Sequence, residues 1–169
     1  MKKLNGNLVS KINIAVFISG KGSNLLSIIK KSLTKESLFK VSLVLSNKKN
    51  VKGLLIAKKY NIKTLVSDFT KSNSKEREVI DILKKNQIKL VCLAGFMKIL
   101  SNNFINLFKG KIINIHPSLL PKYKGLNTHE KVIKNKDTYT GCTVHFVTKK
   151  LDSGKIILKK KIRVKKYDN

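Results

Sequence analysis

Three side chains in this sequence have types and spacing that could do acyl chemistry. Asn114 and His116 stand two residues apart in Asn114-Ile115-His116-Pro117-Ser118-Leu119-Leu120-Pro121, at the end of a β-branched run. Alternate residues of a strand share a face, so the two side chains point the same way. Asparagine offers an uncharged NH2 donor, and histidine offers a donor and a proton carrier near neutral pH. Together they could form an oxyanion hole with an acid beside it. Asp152, in the turn Asp152-Ser153-Gly154, is the candidate to orient and charge the imidazole. The competing reading is structural, because a lone histidine near a strand end is often a satisfied scaffold residue and Asp-Ser-Gly is an ordinary turn. No serine or cysteine has a nucleophile setting, so covalent catalysis is not indicated. His129 reads as a helix-start residue. His145, in Thr143-Val144-His145-Phe146-Val147, either points at the site or is a hydrogen-bonded structural residue, and the second reading is preferred.

A second candidate is the turn Ser19-Gly20-Lys21-Gly22-Ser23-Asn24. Glycines let a backbone turn tightly and approach a ligand. Free N–H groups at a helix start favour an anion, usually phosphate. Leu25 breaks the G-x-G-x-x-G dinucleotide pattern, and the turn is not a Walker loop. A plain glycine turn with Ser23 capping the helix stands beside the phosphate reading.

These residues must be positioned by alternating strands and helices. Strands are predicted at 12–18, 41–46, 63–66, 90–94 and 111–115 from short β-branched or apolar runs. Residues 90–94 are apolar enough for a strand buried on both faces. Helices are predicted at 23–31, with Leu25, Leu26, Ile28 and Ile29 inward, and at 51–60, with Leu54, Leu55 and Ala57 inward. Two more are predicted at 74–86, with Val79, Ile80 and Leu83 inward, and at 128–134, and a short one at 101–108. Residues 141–147 and 155–164 flank the Asp152 turn and could pair as an antiparallel hairpin at the sheet edge. This order predicts an α/β fold, a doubly wound, mainly parallel sheet with antiparallel edge strands. Asn114 and His116 are then expected at the carboxyl end of a parallel strand, where such sheets bind ligands.

Composition sets the outer limits. A chain of 169 residues with 41% hydrophobic residues can build one domain with a real core. No apolar run approaches the roughly 18–20 residues that cross a membrane, and residues 1–10 read as a short polar lead-in rather than an export signal. Cys92, in an apolar run, reads as a buried thiol. With Cys142 it suggests neither a disulfide framework nor a zinc site, so a reducing cytoplasm is expected. The net charge is +28, from 37 Lys plus Arg against 9 Asp plus Glu. That balance points to a polyanion partner. However, Arg77 and Arg163 are the only arginines, and the lysines are spread along the chain. Compositional drift toward Lys, Asn and Ile explains this better than nucleic-acid binding does.

Four segments together carry a family resemblance. They are Ile18-Ser19-Gly20-Lys21-Gly22-Ser23-Asn24-Leu25; Leu93-Ala94-Gly95-Phe96-Met97-Lys98-Ile99-Leu100; residues 114–121 continued by Lys122-Tyr123-Lys124-Gly125-Leu126-Asn127-Thr128-His129; and Val144-His145-Phe146-Val147 through Leu151-Asp152-Ser153-Gly154. The chain, from about Ile12 to its end, resembles the phosphoribosylglycinamide formyltransferases, the folate-dependent GAR transformylases of purine synthesis.

The resemblance implies a single Rossmann-like formyltransferase domain over 1–169. It implies transfer of a formyl group from the co-substrate 10-formyltetrahydrofolate to the amine of 5-phosphoribosylglycinamide, with no metal. Gly22, Ser23 and Asn24 would hold the substrate phosphate. Met97, Lys98, Ile99 and Leu100, with Thr148, Lys149, Lys150, Leu151 and Asp152, would line the folate pocket, which Asn114 also meets. Asn114 and His116 would stabilise the tetrahedral adduct, with His116 as proton donor and Asp152 raising its pKa. The Leu120–Pro121 bond is expected to be cis.

Two departures follow from the same resemblance. The family's folate-binding arginine, near the start of the helix preceding the fourth strand, falls where this chain reads Lys71-Ser72-Asn73-Ser74-Lys75. The C-terminal helix with which family members continue, and which contacts the ribonucleotide, is expected to be lacking. The expected partners are small molecules, with no membrane and no nucleic acid, in a monomer or homodimer. The alternatives are another folate-dependent formyltransferase or hydrolase of the same fold, or a non-catalytic polyanion-binding protein.

Overall fold

In the computed structural model, residues 3–4, 7–8, 10–165 and 168 are described. The lead-in falls largely outside them, but Lys3–Leu4 (β1) and Asn7–Leu8 (β2) pair antiparallel. By its contacts the chain divides into two units, Met1–Ile112 and Ile113–Asn169.

The first unit is built on β-branched and leucine runs too short for helices, buried in succession except at the edge strand. They form β3 (Ile12–Ile18), β4 (Phe39–Ser46), β5 (Lys63–Val66) and β6 (Ile88–Leu93). All pair in parallel, in the order β5-β4-β3-β6. Parallel neighbours need long crossovers. These are supplied by α1 (Ser23–Ser32), α2 (Lys52–Lys59) and α3 (Asn73–Lys85), and α4 (Asn102–Leu107) follows β6. Going from β3, the chain moves outward through β4 and β5, then returns to place β6 on the other side of β3. That reversal is a topological switch point, where open sheets bind ligands beyond the strands' carboxyl ends.

Burial follows the predicted stripes with one correction. Val79, Ile80 and Leu83 of α3 are buried as expected, and so are Val91, Cys92, Leu93 and Ala94 in succession. On α1, Leu25 and Ile29 are buried, whereas Leu26 and Ile28 flank the stripe and are half-buried. Leu55 was expected inward but is 65% exposed. The inward stripe of α2 is Gly53, Leu54 and Ala57, and at 100° per residue Leu55 lies roughly 150° from its centre. The core of this unit is an aromatic cluster. Phe69 packs on Phe104 with ring centroids 4.9 Å apart, and Phe17 meets Phe69, Phe96 and Phe104 edge-on at 5.6–6.3 Å.

In the second unit residues 113–116 of β7 (Lys111–His116) pair antiparallel with β8 (Tyr139–Phe146), and β8 pairs antiparallel with β9 (Ile156–Arg163). The predicted hairpin across the Asp152 turn is therefore present. The helix α5 (Thr128–Lys134) has the predicted bounds. β8 is thus an antiparallel neighbour of the strand bearing Asn114 and His116, and both residues lie at that strand's carboxyl end as expected. Other boundaries shift by one or two residues, which is the usual fraying of element ends.

Candidate active site

The second unit brings Asn114, His116 and Asp152 together, and adds His145. The antiparallel register sets Asn114 opposite His145 and His116 opposite Thr143. His116 is 4% exposed. Its Nε2 lies 2.8 Å from the Tyr123 carbonyl oxygen. A carbonyl only accepts, so Nε2 carries the hydrogen and Nδ1 faces the other way. Nδ1 sits 3.4 Å from Asp152 Oδ2. Asp152 has a positive φ of 45°, a conformation that Asp and Asn tolerate better than most side chains. Its Oδ2 also accepts the Gly125 N–H at 2.9 Å, while its Oδ1 lies 3.6 Å from His145 Nε2.

His145, 2% exposed, has a bond to each side. Its Nδ1 donates to the Phe146 carbonyl at 2.9 Å, so its Nε2 is free to accept, and Asn114 Nδ2 stands 3.3 Å from it. That contact turns the NH2 end of Asn114 toward the histidine and leaves the second N–H of the amide for another acceptor. His145 is thus hydrogen-bonded to the backbone, as the preferred reading has it, and it also touches Asn114 and Asp152. Its signal in the sequence was its place on the strand opposite Asn114, but that register cannot be read without the fold.

The loop after His116 is pinned from β8. Thr143, fully buried, accepts the Leu120 N–H at 3.1 Å and donates to the Ser118 carbonyl at 2.7 Å. The Ser118 hydroxyl donates to the Lys122 carbonyl at 2.6 Å. The Leu120–Pro121 bond is cis. At the loop's outer side the Lys122 ammonium donates to Asp137 at 2.6 and 2.8 Å. This bond holds the Asp137 carboxyl below its ordinary range and pushes the Lys122 ammonium up, though so exposed a pair adds little stability. Thr148, Lys149, Lys150 and Leu151 are all exposed beside Asp152.

In the first unit, Gly22 and not Ser23 is the N-cap of α1, with φ 79° and no side-chain capping bond. The capping role considered for Ser23 is thereby corrected: Ser23 is the first helical residue. The N–H groups of the first turn have no capping side chain, the turn holds no acidic residue, and Ser23 and Asn24 are exposed. A Cβ on Gly22 would lie 2.6 Å from the Gly53 Cα, so this glycine also permits two helix starts to touch. Of the four residues at 97–100, Met97 is 63% and Ile99 73% exposed, Leu100 is buried, and Lys98 Nζ lies 3.8 Å from Asp68 Oδ1. A cavity of about 370 Å³, lined by Asn47, Lys49, Ser67, Asp68 and Lys75 among others, contains none of the predicted site residues. The buried cluster, and not this cavity, carries the proton-transfer and hydrogen-bonding groups. Among the described residues, no three His, Cys, Asp or Glu side chains are grouped to hold a metal, and no helix is long and apolar enough to cross a membrane.

A strand-end Asn and His beside a buried carboxylate have the donors and the proton carrier that acyl transfer uses, and comparison with known proteins gives the family. The formyl transferase family profile matches residues 12–169, and the chain belongs to that family. It is 44% identical over 156 residues to the phosphoribosylglycinamide formyltransferase of Escherichia coli (strain K12), covering 90% of this chain and 74% of that protein. It is 43% identical over 159 residues to the trifunctional purine biosynthetic protein adenosine-3 of Gallus gallus, covering 92% of this chain. The chain spans only 16% of the length of that trifunctional relative. A crystal structure of phosphoribosylglycinamide formyltransferase from Anaplasma phagocytophilum superposes with a TM-score of 0.89 at 41% identity, covering 95% of this chain and 76% of that one. The predicted fold class, mainly parallel α/β with antiparallel edge strands, is that of these structures.

Proposed function

We propose that this formyl transferase moves the formyl group of 10-formyltetrahydrofolate to the glycine amine of 5-phosphoribosylglycinamide. The observation that carries the reading is the buried Asp152 carboxylate, which turns one oxygen to each of two imidazoles while one of those imidazoles orients Asn114. The free N–H of Asn114 donates to the formyl oxygen as negative charge develops there. His116, held by the Tyr123 carbonyl through Nε2, turns Nδ1 to Asp152, and this pair is placed to accept or relay the proton the amine must lose. The leaving nitrogen of the folate must gain one. Because the acyl group is already activated, the reading needs no metal.

In the first unit, Gly22, Ser23 and Asn24 hold the nucleotide phosphate through the uncapped start of α1, where the helix field favours an anion. Met97, Lys98, Ile99 and Leu100 contact the folate, and exposed apolar Met97 and Ile99 suit a flat ring system. Both the purine-pathway resemblance and the identity to named formyltransferases support the substrate pair.

The test is formation of tetrahydrofolate by the purified protein given both substrates. Transfer to the ribonucleotide amine is the expected result. Release of formate without the nucleotide would instead make the protein a hydrolase of the same fold. Salt-sensitive binding to nucleic acid with no turnover of the folate would favour the polyanion-binding alternative that the +28 charge raises.

A further inference from the structure

We propose that Ser19 is a positioning residue, whose hydroxyl sets the backbone of Met97 and thereby the affinity for the folate. This rests on the reading that residues 97–100 contact that co-substrate. Ser19 follows β3 directly and is 6% exposed. Its Oγ accepts the Met97 N–H at 2.7 Å and donates to Asn47 Oδ1 at 2.5 Å. Its own N–H donates to the Gly95 carbonyl at 3.1 Å. One short side chain therefore ties the carboxyl ends of three neighbouring parallel strands, with Asn47 just past β4 and Gly95 to Met97 just past β6. The bond to Met97 crosses from β3 to β6, at the switch point of the sheet.

The turn it holds needs such a hold. Gly95 has φ 74° and no atom within 4 Å of where its Cβ would lie, so nothing packs against the turn on that side. Phe96 is anchored in the aromatic cluster, 5.6 Å from Phe17 and 6.1 Å from Phe69. Met97, the next residue, leaves the core and is 63% exposed. Its side chain has no comparable anchor, and among the described hydrogen bonds its N–H has only the Ser19 hydroxyl. A serine fits both demands, since one hydroxyl can donate to an amide oxygen and accept an N–H at once. Alanine would keep the Ser19 N–H to Gly95 bond and remove only the two hydroxyl bonds.

The experiment compares Ser19→Ala, Ser19→Thr and Met97→Ala with the full-length wild type. Amide hydrogen exchange at Met97 is read in the free protein. Affinity for a hydrolysis-stable 10-formyl folate analogue and for the ribonucleotide is then titrated separately. We expect Ser19→Ala to speed exchange at Met97 and weaken the folate analogue by about five- to thirtyfold, the effect of one lost hydrogen bond. Ribonucleotide affinity should stay within about threefold, and threonine should restore much of both signals because it keeps the hydroxyl. Unchanged exchange at Met97 in the alanine variant overturns the proposal. So does an equal loss for both ligands with a lowered melting temperature, which marks a structural role. Faster exchange with normal folate affinity, while Met97→Ala lowers that affinity, overturns the role of Ser19 and leaves the folate reading standing. If neither Ser19→Ala nor Met97→Ala alters folate affinity, both fail together.

Discussion

Replacing Asp152 by asparagine separates chemistry from architecture at this site. Asparagine keeps one carbonyl oxygen, which can still accept the Gly125 N–H now held at 2.9 Å. It also tolerates the positive φ of 45° at this position. What it loses is the negative charge 3.4 Å from His116 Nδ1. A positioned proton-transfer group contributes roughly 10²–10⁴-fold. The amide cannot accept or relay a proton, so kcat should fall by about 10²–10³. The melting temperature should move by no more than about 2 °C.

Asp152→Ala should lose the same chemistry and stability besides. The left-handed backbone costs alanine about 1 kcal/mol, and the Gly125 N–H loses its acceptor at about 1–2 kcal/mol. The sum, about 2–3 kcal/mol, corresponds to a melting temperature lower by about 4–12 °C in a chain of this size. Tetrahydrofolate formation under saturating substrates, with melting curves of all three proteins, gives both quantities. The reasoning is refuted if the asparagine variant melts normally and keeps more than about a third of the wild-type kcat. Asp152 would then be a turn residue and nothing more.

Asn114→Ala should cut kcat by about 10²–10³ with near-normal melting, the usual effect of one lost oxyanion donor, and a folded, active variant would remove it from the mechanism. Gly22→Ala should destabilise the fold by about 1–3 kcal/mol, because its Cβ would press on the Gly53 Cα at 2.6 Å and its φ is 79°, as a thermal melt would show. The phosphate role is therefore better tested by Ser23→Ala and Asn24→Ala, both exposed, which should raise the ribonucleotide KM while leaving melting and folate affinity unchanged. Burial pushes the Cys92 thiol up to about 11 from an ordinary 9.0. Below 9 both folded and unfolded chains keep the proton. Between 9 and 11 the unfolded chain releases it and the folded one does not, so stability should fall as pH rises through this window. Cys92→Ala should remove that part of the slope in denaturant titrations taken at pH 8, 9 and 10.

Much of this protein was legible in the sequence because its elements are local. The runs that became β3 and β5 and the spacing that became α3 and α5 are short-range patterns, and a strand or helix repeats its side-chain directions every two or 3.6 residues. The same alternation places Asn114 and His116 on one face, and the four family segments name the chemistry before any fold is known. Leu55 was misassigned for a related reason: three inward neighbours, one of them a glycine, define the stripe of α2, and a glycine carries no hydrophobic signal.

What only the tertiary structure decided are contacts between residues far apart in the chain. His145 reaches Asn114 across 31 residues, because β8 folds back against β7 in one register. A slip of a single residue would turn His145 to the other face. Tyr123 meets His116 through a backbone carbonyl, which has no residue-type signature. Gly22 meets Gly53, and Ser19 meets Asn47 and Met97, because neighbouring parallel strands end at the same level. Local patterns determine which residues form each element and which face they show. Register and the paths of loops are settled by packing and by the pairing of buried polar groups, and at this site those determine which nitrogen of His116 faces the carboxylate.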